Sequence, residues 1–227
     1  MGIIKLDNVV KKFLIGGGYF TALDGINLEF NKGEFCGFIG PSGSGKTTLL
    51  NIIGSLDAPS GGSCSVLGEK VENLSENQAA KLRSRSMGFI FQTYNLLPVY
   101  TVYENVEFPL LLLGMFAQER REKVMSALEW VGLMDKIASR PSQLSGGECQ
   151  RVAIARAVVK KPELILADEP TANLDAKNSH NILDTMMKLN KDLNMTFIFA
   201  THDDKVIGYL KRKIFLADGK VVKDITV

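Results

Sequence analysis

The sequence predicts an α/β fold with a largely parallel sheet. Residues 35–39 and 164–167 are short apolar runs with the length and composition of buried strands. Ile182, Met186 and Leu189 recur at i, i+4 and i+7, which places them on one apolar face of a helix. Strands that alternate with helices along a chain are typical of a parallel sheet.

Composition narrows the class of protein. The chain has 227 residues, 45% of them hydrophobic, which suffices for one sizeable core. The net charge of +2 argues against a dedicated nucleic-acid-binding protein or a polybasic membrane anchor. Three dispersed cysteines without C-x-x-C spacing favour a reducing cytosol over a disulfide framework or a zinc site. The longest apolar stretch, 108–116, is far short of the ~20 residues of a membrane helix, and no signal peptide is expected.

The N-terminal part is predicted to be strand-rich. Residues 3–6 and 26–30 alternate in part between apolar and polar side chains, and a glycine-rich loop at 16–18 separates them. Further strands are predicted at 35–39, 87–91 and 195–200.

Residues from about 93 to 140 carry little strand signal. Residues 102–113 and 118–131 are predicted to be helices, which suggests a helical insertion between two strands of the sheet. Pro141 marks the predicted return to the core. One face of the second helix carries Val124, Leu128 and Val131.

The run Gly40–Thr47 matches the pattern G-x-x-x-x-G-K-[ST] between a strand and an apolar helical run, which is the context that this motif requires. Its glycines let backbone N–H groups surround phosphate oxygens, and the helix N-terminus adds a favourable dipole. Lys46 is expected to reach the β- and γ-phosphates and Thr47 to bind Mg²⁺. The candidate phosphate-binding residues are Gly40, Pro41, Ser42, Gly43, Ser44, Gly45, Lys46, Thr47 and Thr48.

Two acidic residues follow the predicted strand 164–167. Asp168 and Glu169 would lie at its carboxyl end, where open α/β sheets bind ligands. We expect Asp168 to hold Mg²⁺ through water and Glu169 to polarise an attacking water. Two acids after a strand are common by themselves, and it is the phosphate-binding loop upstream that favours this interpretation.

A second anion site is predicted about 100 residues downstream. Ser145, Gly146 and Gly147 precede the helical run 152–158, with Glu148 in the first turn. One phosphate-binding loop does not need another such cradle. The second makes sense if it covers a nucleotide that another subunit holds.

These motifs resemble those of the ATP-binding-cassette (ABC) ATPases, the nucleotide-binding domains of ABC transporters, over essentially the whole chain. Leu144–Glu148 is similar to the signature of that family, Gly40–Thr47 to its Walker A loop and Glu169 to its Walker B glutamate. The remaining matches are the Q-loop glutamine Gln92, the D-loop residue Asp175 and the switch histidine His202.

The resemblance implies a P-loop NTPase cassette: a RecA-like mixed-sheet core, an N-terminal antiparallel β subdomain and an inserted helical subdomain. Residues 1–227 would form a single ABC ATPase domain. About 1–92 and 141–227 would be the catalytic core with the β subdomain, and about 93–140 the helical subdomain.

The resemblance also implies a mechanism. Two cassettes would pack head to tail as a homodimer on ATP binding and enclose two Mg-ATP, each between the Walker A loop of one chain and the signature of the other. Ser145, Gly146 and Gly147 would act in trans on the γ-phosphate. The catalytic candidates are Glu169, His202, Gln92 and Lys46, the metal-binding ones Thr47, Gln92 and Asp168, and Glu148 and Asp175 are counted with the nucleotide-binding residues.

The residue that stacks on adenine is open between three aromatic side chains. Phe13 lies where family members usually carry their aromatic residue, although a tyrosine is commoner there. Tyr19 and Phe20, after the glycine-rich loop, are the alternatives.

Cys149 departs from the family pattern, which usually has glutamine at this place. A thiol at a helix start can have a lowered pKa, which would permit redox sensitivity. The alternative is a neutral replacement.

Four segments indicate a subfamily. They resemble the lipoprotein-releasing and macrolide-export cassettes, which dock onto separate transmembrane permease subunits at the cytoplasmic face of the inner membrane. Residues 95–98 and 108–116 could form an apolar docking groove, or else the core of the helical subdomain. The four segments are Leu23–Leu28, Gly54–Gly61, Phe91–Pro98 and Glu104–Val106.

Three other functions fit parts of this pattern. A regulatory GTPase would need an N-K-x-D motif, which Asn190–Leu193 misses by one residue. A small P-loop kinase would lack the signature and the D-loop. The third alternative is a non-transport ABC ATPase of DNA repair, chromosome organisation or translation. Such proteins usually carry a coiled-coil insertion, zinc modules or a second cassette, and this sequence shows none of these features. We therefore expect no nucleic-acid partner.

Overall fold

The computed structural model describes residues 2–227, and this part of the chain contains ten strands and seven α-helices. The strands are β1 (Gly2–Ile15), β2 (Gly18–Asn31), β3 (Phe35–Ile39), β4 (Gly61–Val66), β5 (Glu69–Lys70), β6 (Met87–Phe91), β7 (Leu164–Asp168), β8 (Thr196–Thr201), β9 (Arg212–Ala217) and β10 (Lys220–Thr226). The helices are α1 (Lys46–Ile53), α2 (Glu76–Ser86), α3 (Val102–Leu112), α4 (Ala117–Trp130), α5 (Gly146–Val158), α6 (Ala176–Leu193) and α7 (Asp204–Tyr209).

The central sheet has six strands in the order β10-β9-β3-β8-β7-β6. The five strands from β9 to β6 are parallel, and β10 pairs antiparallel with β9. Every residue of β3 and β8 is buried, as expected of strands covered on both faces. The predicted parallel α/β sheet is confirmed, and β10 makes it a mixed sheet.

The second sheet is antiparallel, in the order β2-β1-β4-β5. Its first two strands form a hairpin that is much longer than the predicted runs 3–6 and 26–30. The outer half of the hairpin projects from the core, and its side chains, including Leu14 and Ile15, are exposed. It therefore lacks the burial alternation on which the sequence prediction depended.

Two apolar clusters cover the two faces of the central sheet. Phe197 and Phe199 of β8 face a cluster formed mainly with α3–α6, whereas Ile198 and Ala200 face a cluster formed with α1 and the antiparallel sheet. The alternation follows from the period of two residues in a strand. The core thus fixes the central strands from both sides.

The predicted helices of the segment 93–140 are present as α3 and α4, and Val124, Leu128 and Val131 are buried as expected. A short 3₁₀ helix at Pro141–Gln143 then leads to α5, which packs against both α3 and the sheet strand β6. The apolar stripe of α6 is also confirmed, because Ile182, Met186 and Leu189 are buried. None of the helices between residues 2 and 227 combines the length and apolar character needed to cross a bilayer.

Candidate functional site

Four neighbouring parallel strands deliver the predicted site residues to one edge of the sheet. The glycine-rich loop follows β3, Gln92 follows β6, Asp168 ends β7, and His202 follows β8. The carboxyl ends of parallel strands in an open α/β sheet are where ligands bind. A cleft of about 430 Å³ opens there, and its lining residues are Phe13, Phe20, Ala22, Ser42, Gly43, Gly45, Lys46, Thr47, Thr48, Gln92, Asp168, Glu169 and His202.

The glycine-rich loop turns sharply into α1. Gly45 caps this helix with φ of 101°, a left-handed conformation that residues with a Cβ atom rarely adopt. Lys46 is only 7% exposed, and its Nζ donates hydrogen bonds to the carbonyls of Gly40 (2.7 Å) and Pro41 (2.9 Å). The backbone N–H groups of the first helical turn have no partner within the helix, so the loop presents donors and one ammonium group to an anion.

Thr47 and Asp168 approach each other across the cleft. The hydroxyl Oγ1 of Thr47 lies 3.2 and 3.3 Å from the two carboxylate oxygens of Asp168. Burial raises the pKa of Asp168, while the hydrogen bond from Thr47 acts in the opposite direction. A hydroxyl and a carboxylate beside a phosphate site form the oxygen donor set that Mg²⁺ prefers, so these residues fit the predicted ion.

Glu169 is held at both carboxylate oxygens. His202 Nδ1 lies 2.6 Å from Oε1, and Thr201 Oγ1 donates to Oε2 at 3.0 Å. The backbone of Glu169 is left-handed, with φ of 45°, and its N–H donates to the carbonyl of Ala200. Sequence reasoning did not assign a function to Thr201, although this residue immediately precedes the predicted histidine.

The segment after Gln92 is fixed by side chains that are distant in sequence. Tyr94 and Asn95 are both left-handed, with φ of 60° and 50°. The guanidinium of Arg156 donates to their carbonyls, at 2.7 Å to Tyr94 and 2.5 Å to Asn95. The side-chain amide of Asn173 donates to the carbonyl of Gln92 at 2.9 Å. Arg156 and Asn173 were not predicted, because only the tertiary fold brings them to this segment.

The aromatic alternatives differ in position. Phe13 and Phe20 face each other across the hairpin and both line the cleft. Tyr19 is 76% exposed and lies outside the cleft lining, whereas Phe13 is 37% exposed. The geometry therefore favours the two phenylalanines over Tyr19.

The serine–glycine cradle lies outside the cleft of its own chain. Ser145 caps α5, and its hydroxyl and backbone N–H both donate to Glu148 Oε2, at 2.9 and 2.8 Å. Gly147 packs so closely on α6 that an added Cβ would lie 2.9 Å from Asn178 Oδ1. Asp175 caps α6 and is likewise outside the cleft lining. The structure thus joins Ser145, Gly147 and Asp175 into a second surface, separate from the phosphate loop.

Of the two alternatives for Cys149, the structure favours the neutral replacement over a redox-sensitive thiol. Its Sγ is buried and lies 3.7 Å from the carbonyl of Pro141. Burial raises the pKa of the thiol, and the nearby charge of Glu148 raises it further. The helix dipole does not prevail here because the side chain points into the protein rather than toward solvent.

A separate groove of about 440 Å³ lies between α2, β6, α3 and α5. The predicted apolar segment 108–116 is divided between this groove and the core. Phe108 and Leu112 line the groove, and Leu112 is 66% exposed, whereas Leu110 is fully buried. Part of the segment therefore lines a surface groove, and part belongs to the core of the helical segment.

Comparisons of the sequence and of the fold with known proteins point to the same family. The model of the ABC transporter family matches residues 23–172. The lipoprotein-releasing system ATP-binding protein LolD of Bacteroides thetaiotaomicron is 40% identical over 222 residues, which span 98% of this chain and 100% of that protein. The macrolide export ATP-binding/permease protein MacB of Hyphomonas neptunium is 43% identical over 222 residues, covering 98% of this chain but 34% of that protein.

A solved structure of MJ0796, from Methanocaldococcus jannaschii, superimposes with a TM-score of 0.90 at 41% identity and covers 98% of each chain. It is described as the dimeric, post-hydrolysis state of an ATP-binding cassette bound to ADP and Pi. With the family model covering more than half of the sequence and a fold shared along nearly its whole length, the chain belongs to the ABC transporter family as one of its ATP-binding domains.

Proposed function

We propose that this chain is the ATP-binding and ATP-hydrolysing subunit of an ABC transporter. A head-to-tail homodimer encloses two Mg-ATP and drives conformational change in separate membrane subunits, for export or for the release of lipoproteins or lipids. The observation that carries this proposal is the convergence of Lys46, the Thr47–Asp168 pair, Gln92 and the Glu169–His202 pair on one cleft.

Binding of the triphosphate falls to the glycine-rich loop. Its backbone N–H groups and the Lys46 ammonium provide the positive potential that phosphate oxygens require. Thr47, Asp168 and Gln92 would hold Mg²⁺, which neutralises phosphate charge when it is bound. Phe13 or Phe20 supplies the apolar wall for adenine.

Hydrolysis falls to the pair Glu169 and His202. A carboxylate only accepts hydrogen bonds, so at the 2.6 Å contact Nδ1 of His202 would carry the proton, and Nε2 would be the ring nitrogen available to a ligand. Glu169 is then positioned to polarise water, and His202 to orient the γ-phosphate and that water.

Dimerisation follows from the position of the serine–glycine cradle. Ser145, Gly146 and Gly147 do not line the cleft of their own chain, so they would complete a site only if a second chain presents them. The dimeric, nucleotide-bound state described for MJ0796 supports the same arrangement here.

The names of LolD and MacB support transport as the use of this ATPase. The groove lined by Phe108 and Leu112 would receive a helix of the permease subunit, which would place the chain on the cytoplasmic face of the membrane. The similarity leaves several cargo classes open, and lipoproteins, lipids and macrolides are the classes to assay first.

The test uses Glu169→Gln, which retains shape and removes the charge that polarises water. Hydrolysis should slow by orders of magnitude while ATP still binds, so ATP should shift the variant from the mass of one chain to the mass of two in size-exclusion chromatography with light scattering. Glu169→Gln combined with Lys46→Ala is the control that should stay monomeric. A variant that binds ATP and never dimerises would contradict the homodimer, and normal turnover would contradict the assignment of Glu169.

A further inference from the structure

The ammonium group of Lys11 lies against the ring of Phe13, one of the aromatic residues that line the nucleotide cleft. Its Nζ is 5.1 Å from the ring centroid, within the range of a cation–π contact. The side chain of Lys11 is only 12% exposed and is not part of the cleft lining, whereas Phe13 is. The cation therefore contacts the ring outside the cleft, and the surface of the ring within the cleft remains available to a ligand.

Lys11 is held in this position by the loop that follows α1. Its Nζ donates to Asp57 Oδ1 at 2.5 Å and to the carbonyl of Ala58 at 2.8 Å. The adjacent backbone is tied to the same loop, because the N–H group of Lys12 donates to Ser60 Oγ at 3.0 Å. Three hydrogen bonds thus join this stretch of β1 to the loop.

Strand pairing alone does not fix this part of the hairpin. The register between β1 and β2 shifts on both sides of Lys11, and the outer half of the hairpin projects from the core. Irregular pairing of this kind bends a strand and redirects its side chains. The direction of the Phe13 ring therefore depends on contacts outside the ladder, and the contact with Lys11 is such a contact.

Helix α1 extends this connection to the phosphate loop. Lys46 lies in its first turn, and near its end the carbonyl of Asn51 accepts hydrogen bonds from the N–H groups of Leu56 (2.9 Å) and Asp57 (3.4 Å). The helix thus carries the phosphate-binding residue at one end and the anchor of Lys11 at the other. Because a helix is a rigid element, this anchor sets the position of the ring relative to the phosphates.

We propose that Lys11, paired with Asp57, is a positioning residue for the nucleotide base and holds the Phe13 ring in the orientation that stacks on it. The inference rests on the proposed function and adds two residues that lie outside the cleft lining. A ring that is held in place before binding loses less rotamer freedom on association, so it stacks with higher affinity. Loss of the Lys11 charge should therefore weaken binding of the base and leave binding of the phosphates unchanged.

Competition binding with two ligands tests this, Mg-ATP and inorganic triphosphate, which carries phosphates but no base. Lys11→Met retains the apolar stem and removes the charge, so the affinity for ATP should fall by about fivefold or more. The affinity for triphosphate should stay that of the wild type. Lys12→Met is the matched control, since this exposed neighbour lies on the same strand, and it should change neither affinity.

A double-mutant cycle shows whether Lys11 acts through Phe13. In the Phe13→Ala background, Lys11→Met should cause no further loss of ATP affinity, because the ring that it positions is absent. Equal losses in both backgrounds would overturn the inference. A parallel loss of ATP and triphosphate affinity would overturn it too, in favour of a general structural role. Asp57→Asn should weaken ATP binding less than Lys11→Met does, and an unchanged affinity would overturn the role of Asp57.

The remaining outcomes separate this inference from the function on which it rests. Full ATP affinity of Lys11→Met together with a loss in Phe13→Ala would overturn the positioning role while base stacking stands. Full ATP affinity of Phe13→Ala would show that the base does not stack on this ring, and the inference would fail with it. Neither result alters the ATPase assignment, which the Glu169→Gln variant tests separately.

Discussion

Glu169 adopts a backbone conformation that its residue type disfavours. A left-handed glutamate costs roughly 1–3 kcal/mol, and it persists where surrounding contacts determine it. Here the contacts are the hydrogen bonds from Thr201 and His202 to the carboxylate and from the backbone N–H to Ala200. Strain of this kind positions a carboxylate in the cleft before substrate arrives.

The choice between aromatic side chains leads to a prediction at a single residue. Phe13→Ala should weaken ATP binding by about 1–3 kcal/mol if the ring stacks on adenine, by analogy with other base–aromatic contacts. Tyr19→Ala, on the same hairpin but outside the cleft, should leave the affinity nearly unchanged. Titration calorimetry on both variants measures the difference. A larger loss for Tyr19→Ala would reverse the assignment.

Lys160 leads to a prediction on pH. Its pKa of about 8 lies below the value of a free lysine, so its neutral, nucleophilic form appears about two pH units earlier on raising the pH. The unfolded chain binds the extra proton between these two values, and this group therefore increases stability as pH rises through that window. Competitive acylation followed by mass spectrometry should give a midpoint near pH 8 for Lys160 in the folded chain. The same midpoint in denaturant would contradict it.

At the scale of elements, helix α5 connects three parts of the site. Ser145 lies at its N-terminus, the side chain of the buried Gln150 donates to the carbonyl of Pro170 at 2.7 Å, and Arg156 holds the turn after Gln92. One rigid helix thus contacts the cradle, the segment after Glu169 and the segment that carries Gln92. A rotation of α5 would move all three together.

A substitution of Arg156 tests the connection between α5 and the turn that follows Gln92. Arg156→Met retains much of the side-chain volume and removes two hydrogen bonds from a charged donor, each worth roughly 1.5–3 kcal/mol, so we expect a stability loss of a few kcal/mol. The amides of residues 92–95 should exchange faster with solvent than in the wild type. Arg151→Met, on the same helix, is the matched control for denaturant unfolding and hydrogen exchange. Equal effects of the two substitutions would contradict a specific link to the turn.

The elements that could be predicted from sequence have either a continuous apolar run or a clear apolar stripe. β3, β7 and β8 are apolar runs that are buried almost throughout, and β6 is a similar run although Phe89 and Phe91 are only half-buried. β9 and β10 were not predicted, because charged and apolar residues mix at that side of the sheet. Helix α2 was not predicted either, since Ala79 is its only buried residue and no apolar stripe forms.

The site divides in the same way. Local motifs such as Gly40–Thr47 consist of adjacent residues, so they can be recognised from the sequence, and their predicted positions at strand ends agree with the structure. Arg156 and Tyr94 are 62 residues apart in the sequence, so no local pattern predicts their contact. The two alternatives for Cys149 could not be separated from the sequence for the same reason, because the direction of a side chain at a helix start depends on tertiary packing.

At the scale of the molecule, each chain carries two incomplete halves of a site, which predicts complementation. Lys46→Ala disables the phosphate loop, and Gly147→Asp disables the cradle, where even a Cβ would collide with Asn178. In a mixed dimer, one composite site has both halves intact. Equal mixing should recover about a quarter of wild-type ATPase activity, since half of the dimers are mixed and each has one intact site. Heterodimers that form but hydrolyse nothing would contradict independent composite sites.

Strand β6 lies at the end of the central sheet, and three of its residues, Met87, Gly88 and Phe89, line the groove. A sheet border next to an uncovered apolar surface invites pairing with the wrong chain. A docked helix would shield this border, so the assembled complex would be better protected than its separate parts. Cells that synthesise this subunit in surplus over its membrane partner would then lose the excess to aggregation or proteolysis. The position of one strand at the border of the sheet would thus require balanced production of the two subunits.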